Sequence, residues 1–322
     1  AKASSTQSNL AALFIRVNGV PLATSGLLLE PAGRSIDRSV EVPLGHGRNF
    51  IAVSVVDDAG RESLRSEAIV VRSGEAVRTL YVLSIGVSRY AASEYDLEYA
   101  AKDAQDLAMA MQKNTAFSRV VTHTLLDQQV TREGVLALKE KLNEATADDA
   151  VAVFYAGHGV LDDALGYWLA AHDMQFASPS ARGISYESLE GLLDGVAARQ
   201  RLLLIDACHS GEADADDAPA IPPLLSAVGM SAIEVKTRGL KTKTRVADPQ
   251  KQTTARLMRE LFLDTRPSNG SVVLTSASGA ERAIESGTLK NGLFTFALIE
   301  GLTHSRADQD LDGGVSTGEL ID

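Results

Sequence analysis

Two different hydrophobic patterns divide the chain near residue 76. Up to about Gly74, short runs rich in β-branched residues alternate with turn clusters such as Asn18-Gly19 and Asp57-Asp58-Ala59-Gly60. These runs predict strands over residues 12–18, 39–44, 49–56 and 67–72. Several short strands with close turn signals and no helical period are typical of a small β-sandwich. We therefore predict an all-β module over residues 1–76 that serves as a spacer or contacts a protein partner.

From Leu80 onward the pattern changes to strands that alternate with helices. Leu80 to Val87 is an unbroken apolar run of the kind that is buried on both faces of a sheet. This pattern predicts strands at residues 80–87, 120–126, 150–156, 201–207 and 271–277. It also predicts helices at residues 96–112, 131–143, 185–196 and 291–302, and Thr131 is the expected cap of the second helix. This alternation predicts an α/β domain over residues 77–322, with a mostly parallel sheet flanked by helices on both faces.

Residues 211–254 show no periodicity. An acidic, proline-bearing stretch from Glu212 to Pro223 is followed by a basic one from Lys236 to Arg245. A loop this long inside a compact domain is usually either functional or disordered.

Charge and cysteine content narrow the classes of function. The net charge of -11 argues against non-specific binding to nucleic acid but would attract a cationic peptide segment. No apolar run approaches the length of a membrane span, so we predict no membrane contact. The single cysteine, Cys208, excludes an internal disulfide and a zinc site built on cysteines. It leaves the redox compartment undetermined, although a reactive thiol survives best in a reducing cytoplasm, which is the predicted location.

Reactive residues follow two of the predicted strands. One strand runs into Gly157-His158-Gly159, and another runs into Asp206-Ala207-Cys208. Because open parallel sheets place ligands at the carboxyl ends of their strands, both segments should open onto one crevice. An imidazole beside a thiol can deprotonate it or form an ion pair with it, and can then protonate a leaving amine.

A structural explanation exists for each residue alone. A buried cysteine behind a strand is commonly a small apolar side chain, and a histidine between glycines can be an ordinary turn residue. The combination of both residues, each after a strand and 50 positions apart, favours the catalytic interpretation.

The two motifs Y-A-G-H-G and D-A-C-H-S-G resemble the catalytic segments of the caspase, metacaspase and orthocaspase superfamily. In caspases the histidine precedes the cysteine by about 50 residues, as it does here. The resemblance extends to the D-L-x-Y-A-x-x-D-A helix and to S-V-V-L-T-S-A, and the preceding segment resembles Ig-like modules of bacterial proteins. It implies a Cys208–His158 dyad, with the Gly159 and Cys208 N–H groups as the oxyanion hole.

The resemblance also suggests which peptide bond is cut. Asp206 and His209 flank the Ala207-Cys208 pair as in metacaspases, and Asp103 matches a pocket acid of those enzymes. Two carboxylates would repel an acidic side chain and bind a guanidinium or an ammonium, which predicts cleavage of protein or peptide substrates after Arg or Lys. The alternatives are that Asp206 is a structural cap and that Asp103 is a solvated helix residue.

The basic loop adds a hypothesis of self-cleavage. Related enzymes carry an activation loop after the nucleophile, and the candidate cleavage positions are Lys236, Arg238, Lys241, Lys243 and Arg245. The alternative is a solvated charged loop without a processing role.

An acidic motif near the C-terminus suggests calcium. Its side chains fit the calcium-loop pattern D-x-D-x-D-G with glutamate at the twelfth position, and the candidate ligands are Asp308, Asp310, Asp312 and Glu319. The alternative is an Asp/Gly-rich turn. Asp162, Asp163 and Asp173 follow His158 where metacaspases carry calcium-binding acids, but the dense acidic cluster of those enzymes is missing. No cofactor is required for the thiol chemistry itself.

Together these observations predict a two-domain cysteine endopeptidase with specificity for basic residues. Two other functions use the same fold: a regulatory scaffold that no longer cuts, and a ligase that passes the acyl group of the thioester to an amine.

Overall fold

A computed structural model of the protein describes residues 1–162, 164, 166–207, 235–237, 270–276, 284–303, 307–310, 315 and 318–319. The candidate nucleophile, Cys208, therefore lies outside the described residues. The predicted boundary at residue 76 falls between the last strand of the N-terminal sheets and the first strand of the parallel sheet, and this division into domains stays a prediction.

The N-terminal part of the chain forms antiparallel sheets, as predicted. Its strands are β1 (Lys2–Ser4), β2 (Leu10–Val17), β3 (Val20–Pro21), β4 (Leu27–Gly33), β5 (Ser35–Asp37), β6 (Gly47–Asp57) and β7 (Ser66–Arg72). The sheet order is β3-β2-β6-β7, β4 also pairs with β2, and β1 pairs with β5. Asn18 and Gly19 adopt positive φ angles of 52° and 84° in the hairpin between β2 and β3, which explains the Asn-Gly pair there. Leu10, Leu13 and Ile15 of β2 form the core with Leu29.

The strand predicted over residues 39–44 is wrong. The structure assigns no strand to these residues, although Val40 and Val42 pack against the core of the module. Pro43 lies within this segment, and a proline cannot donate a backbone hydrogen bond to a neighbouring strand. The alternating apolar pattern therefore predicted the burial correctly but not the strand pairing. The short strands β1, β3 and β5, and the longer β4, were not predicted.

The second part of the chain is built on a parallel sheet. Its strands are β8 (Thr79–Gly86), β9 (Arg119–Leu126), β10 (Ala150–Ala156), β11 (Gly159–Leu161), β12 (Tyr167–Leu169), β13 (Ile184–Ser185), β14 (Gln200–Asp206), β15 (Val235–Thr237), β16 (Val272–Thr275), β17 (Ile284–Ser286) and β18 (Asn291–Gly292). Five of them form the sheet in the order β16-β14-β10-β8-β9, and each neighbouring pair is parallel. Two small antiparallel sheets, β11-β12-β13 and β15-β17-β18, accompany it.

Helices cover this sheet on both faces, which confirms the predicted fold class. They are α1 (Ala100–Gln112), α2 (Arg132–Ala137), α3 (Pro179–Arg182), α4 (Tyr186–Glu190) and α5 (Leu293–Thr303), with 3-10 turns at Ser93–Tyr95, Asp127–Gln129, Leu138–Leu142 and Gly191–Leu193. Every residue of β10 is buried, as expected for a central parallel strand. Within the described part of the chain, no helix combines the length and the apolar character needed to cross a membrane.

Helix α1 lies very close to β8. The hydroxyl of Ser84 donates a 2.6 Å hydrogen bond to the carbonyl of Ala104, and a Cβ atom at Gly86 would lie 2.5 Å from the carbonyl oxygen of Ala100. Only glycine allows this approach at the carboxyl end of β8. The helix begins at Ala100 rather than at Asp96, and the carboxylate of Glu285 accepts the N–H groups of residues 98 and 99 just before it.

Two further predicted helices are shorter than the sequence pattern indicated. Each continues as a 3-10 turn, one after α2 and one after α4. The predicted cap at Thr131 is confirmed, since its hydroxyl oxygen accepts the N–H of Gly134 at 3.0 Å.

The all-β module contacts the amino ends of the parallel strands. The N–H group and Nδ1 of His46 lie 2.6 and 2.7 Å from the carboxylate oxygens of Asp148, two residues before β10. The hydroxyl of Thr24 donates a 2.5 Å hydrogen bond to Asp194, which precedes β14 in the chain. The guanidinium of Arg199, next to β14, donates to the carbonyl of Pro43 at 3.2 Å. The carboxyl ends of the strands lie at the opposite edge of the sheet.

Candidate active site

The topology of the parallel sheet predicts a crevice between β8 and β10. After β8 the chain crosses to β9 on one side, and after β9 it returns to β10 on the other side of β8. Such a reversal of direction leaves a gap outside the carboxyl ends of the two strands, where open α/β sheets bind their ligands. Tyr90 follows β8 and His158 follows β10, so both lie at this position.

His158 is buried and its imidazole is held from several directions. The Nε2 atom lies 2.8 Å from the carbonyl oxygen of Tyr95, and the side chain has an exposed fraction of only 3%. The ring centroid lies 5.2 Å from that of Tyr90 in a tilted arrangement and 5.7 Å from that of Phe176 in an edge-on arrangement. Tyr95 and Phe176 stack on each other with centroids 3.7 Å apart. The imidazole therefore has a defined orientation, as a general acid/base requires.

The strand that leads to Cys208 ends directly beside His158. β10 and β14 are parallel neighbours in which Ala156 pairs with Asp206, and the N–H of Gly157 donates to the carbonyl of Asp206 at 3.2 Å. Cys208 is the second residue after Asp206 in the sequence. The two segments that the sequence analysis predicted to share one crevice thus leave the sheet from adjacent strands. The dyad itself stays a prediction, as do the Gly159 and Cys208 oxyanion donors.

Asp103 and Asp206 both contact the start of α5. The carboxylate of Asp103 accepts the N–H of Gly292 at 3.0 and 3.1 Å and the side-chain amide of Asn291 at 2.9 Å. The carboxylate of Asp206 accepts the hydroxyl of Thr295 at 2.9 Å. Both acids are fully buried, so the alternative that Asp103 is a solvated helix residue is wrong. The amino end of a helix carries partial positive charge, which favours carboxylates at this position.

The sequence of this α/β part matches the model of a known protein family. Residues 79–314 match the model of the caspase domain, a cysteine-peptidase family, and this range covers most of the chain. The chain belongs to the caspase-domain family. The match accounts for the parallel sheet and for the resemblance seen in the two motifs. No curated protein matches the chain.

Two solved structures that are similar to this chain share little sequence identity with it. The crystal structure of protein GSU0716 from Geobacter sulfurreducens is 20% identical, with 71% of this chain and 83% of that chain covered and a TM-score of 0.43. The crystal structure of BC0361, a polysaccharide deacetylase from Bacillus cereus, is 10% identical, with 48% and 59% covered and a TM-score of 0.14.

The sequence analysis missed several residues that shape the site. Tyr95 acts through its backbone carbonyl, which no side-chain pattern can indicate. Phe176 lies 18 positions after His158 and is not part of either motif. Glu285 of β17 is buried and binds the two N–H groups before α1, one turn from Asp103. The tyrosines of R-Y-A-A-S-E-Y, just after the first apolar strand, were the available signal for Tyr90.

The predicted self-cleavage positions are mostly outside the described residues. Arg238, Lys241, Lys243 and Arg245 all lie there, and only the backbone of Lys236 is described. Lys236 belongs to β15, where it pairs with Glu285 of β17. Self-cleavage therefore stays a prediction.

The structure brings three of the four candidate calcium ligands together. Carboxylate oxygens of Asp308, Asp310 and Glu319 lie within 4.8 Å of one another, and Asp312 lies outside the described residues. Glu319 also accepts the N–H of Gln309 at 2.8 Å. Hard oxygen ligands suit calcium, but acidic groups also cluster without an ion, so calcium binding stays a prediction.

The acids that follow His158 have other partners. Asp162 accepts the indole N–H of Trp168 at 2.7 Å and the N–H of Gly166 at 2.8 Å, which closes the turn between β11 and β12. Asp173 pairs with Arg182, and Asp163 lies outside the described residues. These contacts give Asp162 and Asp173 structural roles in the described part of the chain.

Proposed function

We propose that this member of the caspase-domain family is a cysteine endopeptidase that cleaves proteins or peptides after arginine or lysine. Cys208 is the nucleophile and His158 is its acid/base partner. The observation that carries the proposal is the buried, oriented imidazole of His158 at the carboxyl end of β10, beside the strand that leads to Cys208. An orthocaspase type, a bacterial origin and a cytoplasmic location are further parts of the proposal.

The reaction has two steps. His158 takes the thiol proton, Sγ of Cys208 attacks the scissile carbonyl carbon, and the Gly159 and Cys208 N–H groups bind the resulting oxyanion. The intermediate collapses as His158 gives the proton to the leaving amine, which leaves a thioester. Water, deprotonated by His158, then attacks the thioester, releases the acid product and restores the thiol. This chemistry uses only side chains, backbone N–H groups and water, and requires no cofactor.

The proposed preference for basic residues is supported by two buried carboxylates. Asp206 precedes Cys208 by two positions, and both Asp206 and Asp103 contact the start of α5. A buried carboxylate that can be shared with a guanidinium provides strong, charge-assisted hydrogen bonds, whereas an aspartate side chain would meet like charge. The net charge of -11 would further draw a cationic peptide towards the protein.

A panel of fluorogenic peptides that differ only in the residue before the scissile bond tests the proposal. We expect release of the fluorophore after Arg and Lys but not after Asp or Gln, and no release by Cys208→Ala. His123→Gln is the control for a variant of His158, because it removes an imidazole from β9 of the same domain. We expect this control to cleave like the wild type. Cleavage by Cys208→Ala, or equal rates after Asp and Arg, would contradict the proposal.

The same panel separates the other two functions. A scaffold that does not cut would leave every peptide intact while still folding like the Cys208→Ala variant. A ligase would join an added amine nucleophile to the acyl group, and mass spectrometry would detect this product in place of the free acid.

We also propose that the enzyme processes itself between Ser231 and Ala255. Incubation of active protein, followed by sequencing of new N-termini, is the test, with Cys208→Ser as the control. An uncut chain with full activity would reject self-processing. A calcium ion on Asp308, Asp310 and Glu319 is a separate prediction, checked by calorimetric titration of the wild type and of Glu319→Gln.

A further inference from the structure

Two buried phenols surround the peptide group of His158. The N–H of His158 donates to the hydroxyl oxygen of Tyr90 at 3.1 Å. The hydroxyl of Tyr155 lies 2.9 Å from the carbonyl oxygen of Ala170 and 3.1 Å from that of His158. The N–H of Ala170 in turn donates to the carbonyl of His158 at 2.9 Å. The N–H of His158 is thereby fixed by Tyr90, and its carbonyl oxygen is fixed by Tyr155 and Ala170.

Gly157 is the residue that allows both phenols to reach this position. A Cβ atom there would lie 2.5 Å from the hydroxyl oxygen of Tyr155 and 3.0 Å from that of Tyr90. Any other residue would therefore displace one phenol or both. Sterics alone therefore require a glycine before His158, whether or not Gly157 also has a role in catalysis.

Burial makes the two hydroxyl groups difficult to explain as simple packing. Tyr155 is fully buried, and Tyr90 has an exposed fraction of 5%. A phenylalanine would fill the same space without the cost of desolvating a hydroxyl, so the hydroxyl groups need their hydrogen bonds to be tolerated. Burial first, and then the neighbouring Tyr90 and Tyr167, raise the pKa of Tyr155 well above its usual range. Tyr155 therefore stays protonated and acts as a hydrogen-bond donor rather than as an acid/base.

The phenols and the rings restrain different degrees of freedom of His158. The phenols hold its backbone, while the carbonyl of Tyr95 and the rings of Tyr90 and Phe176 hold its imidazole. A side chain whose peptide group can tilt cannot keep its ring in a fixed direction, because all of its torsions start from that peptide. Errors of about 1 Å in the position of a catalytic group can cost about a hundredfold in rate.

We infer that Tyr90 and Tyr155 are positioning residues that hold the His158 imidazole in the orientation in which it activates the thiol. This inference rests on the proposed Cys208–His158 dyad and adds two residues to it. Neither phenol touches the substrate or the reacting atoms in this role.

The single cysteine of the chain gives a direct test that needs no substrate. Alkylation by iodoacetamide reports the thiolate of Cys208 alone, so its rate can be measured against pH without background from other thiols. In the wild type we expect alkylation to persist well below the usual thiol pKa of about 8.5, and in His158→Ala to follow that usual value. In Tyr90→Phe and Tyr155→Phe the profile should move upward by about one pH unit, because a weakened hydrogen-bond network loosens the imidazole.

Turnover gives a second readout in the same variants. We expect kcat for an arginine peptide to fall about tenfold in Tyr90→Phe, with KM changed by less than about twofold, because orientation affects the transition state more than binding. Tyr81→Phe is the matched control: Tyr81 is a buried tyrosine near the opposite end of β8, and its loss should leave both profiles unchanged.

The outcomes separate this inference from the proposed function. If the alkylation profiles of wild type and His158→Ala coincide, the dyad itself is wrong and the proposed function fails with it. If those two differ but Tyr90→Phe and Tyr155→Phe both follow the wild type, only the positioning role is wrong. A loss of activity that matches the unfolded fraction in thermal melts, at an unchanged alkylation profile, would also overturn it.

Discussion

The parallel sheet has an amino edge and a carboxyl edge, formed by the amino ends and the carboxyl ends of its strands. The two edges carry similar residue types in different surroundings. At the carboxyl edge His158 is buried among aromatic rings, and the carboxylates of Asp103 and Asp206 are buried nearby. At the amino edge His46 of the all-β module meets the carboxylate of Asp148 directly. The ring of His158 contacts a backbone carbonyl and two aromatic rings, whereas the ring of His46 is paired with an acid.

This difference shows that an imidazole indicates chemistry through its surroundings rather than through its presence. The Asp148 carboxylate satisfies both the N–H and the ring of His46, which fixes the module to the sheet. The contacts of His158 with the carbonyl of Tyr95 and with the rings of Tyr90 and Phe176 instead fix the direction of its imidazole. Removal of His158 should therefore abolish most of the activity, whereas removal of His46 should leave the activity unchanged and lower the stability.

The largest expected effect separates the two histidines. His158→Ala should lower kcat by about a thousandfold, because the general acid/base is lost. His46→Ala should leave kcat unchanged and lower the melting temperature. Parallel measurements of peptide cleavage and thermal unfolding check this, and a similar loss of activity in both variants would break the comparison.

The next largest effect concerns the acids of the carboxyl edge. Asp206→Asn keeps an acceptor for the hydroxyl of Thr295 but removes the charge, so kcat/KM for an arginine peptide should fall by about a hundredfold. Asp148→Asn removes a charge from the amino edge and serves as the control, with no change in the preference for the residue before the scissile bond. An unchanged preference in Asp206→Asn would show that this acid has only a structural role.

A smaller effect concerns the stability that Asp148 contributes at the amino edge, which should depend on pH. Burial acts to raise the pKa of Asp148, but the hydrogen bonds from His46 and the charges of His46 and Arg72 outweigh it, and the pKa is lowered. A lowered pKa stabilises the fold above the unfolded value, and this stability is lost as the pH falls through the folded value. Asp148→Asn should therefore lower the free energy of unfolding by about 1–2 kcal/mol at neutral pH.

The same variant provides its own internal check at acid pH. Below about pH 4 the carboxylate becomes protonated in the unfolded chain first, so the difference in denaturant unfolding between wild type and Asp148→Asn should shrink as the pH falls towards the lowered folded value. A difference that stays constant from neutral pH down to pH 3 would show that the charge of Asp148 does not stabilise this edge.

The smallest expected effect is a loss of stability at Thr131, which lies at neither edge and serves as a reference for the larger effects. Thr131→Ala removes the cap of α2 and should cost about 1 kcal/mol of stability, with unchanged kcat and specificity. Urea unfolding at neutral pH measures this cost. Thr131→Ser retains the hydroxyl and should restore most of the stability, whereas equal losses in both variants would point to packing rather than capping.

The sequence predicted the architecture well where periodicity and burial act together. The apolar runs at Leu80 and Ala150 form buried parallel strands, as their pattern predicted, and the family match agrees with that fold. The strand predicted around Pro43 was wrong because side-chain alternation reports burial, not backbone pairing. Very short strands such as β3 and β18 carry too few residues to show any period.

The site was predictable only in part for a similar physical reason. His158 and Asp206 belong to local motifs, so their neighbours in sequence identify them. Tyr90, Phe176 and Glu285 reach the site from distant segments, through contacts that depend on how the elements pack. The carbonyl of Tyr95 contributes no side chain at all, and only coordinates can reveal its contact with the imidazole.

The contacts of α5 have a consequence for the fate of a broken chain. Asp103 and Asp206 precede the long loop and bind Gly292 and Thr295, which follow it, and β14 pairs with β16 across the same interval. Scission anywhere between these anchors would thus yield two polypeptides that remain joined without a covalent link. Such a nicked molecule would elute from a sizing column as one particle and separate into two bands only after denaturation.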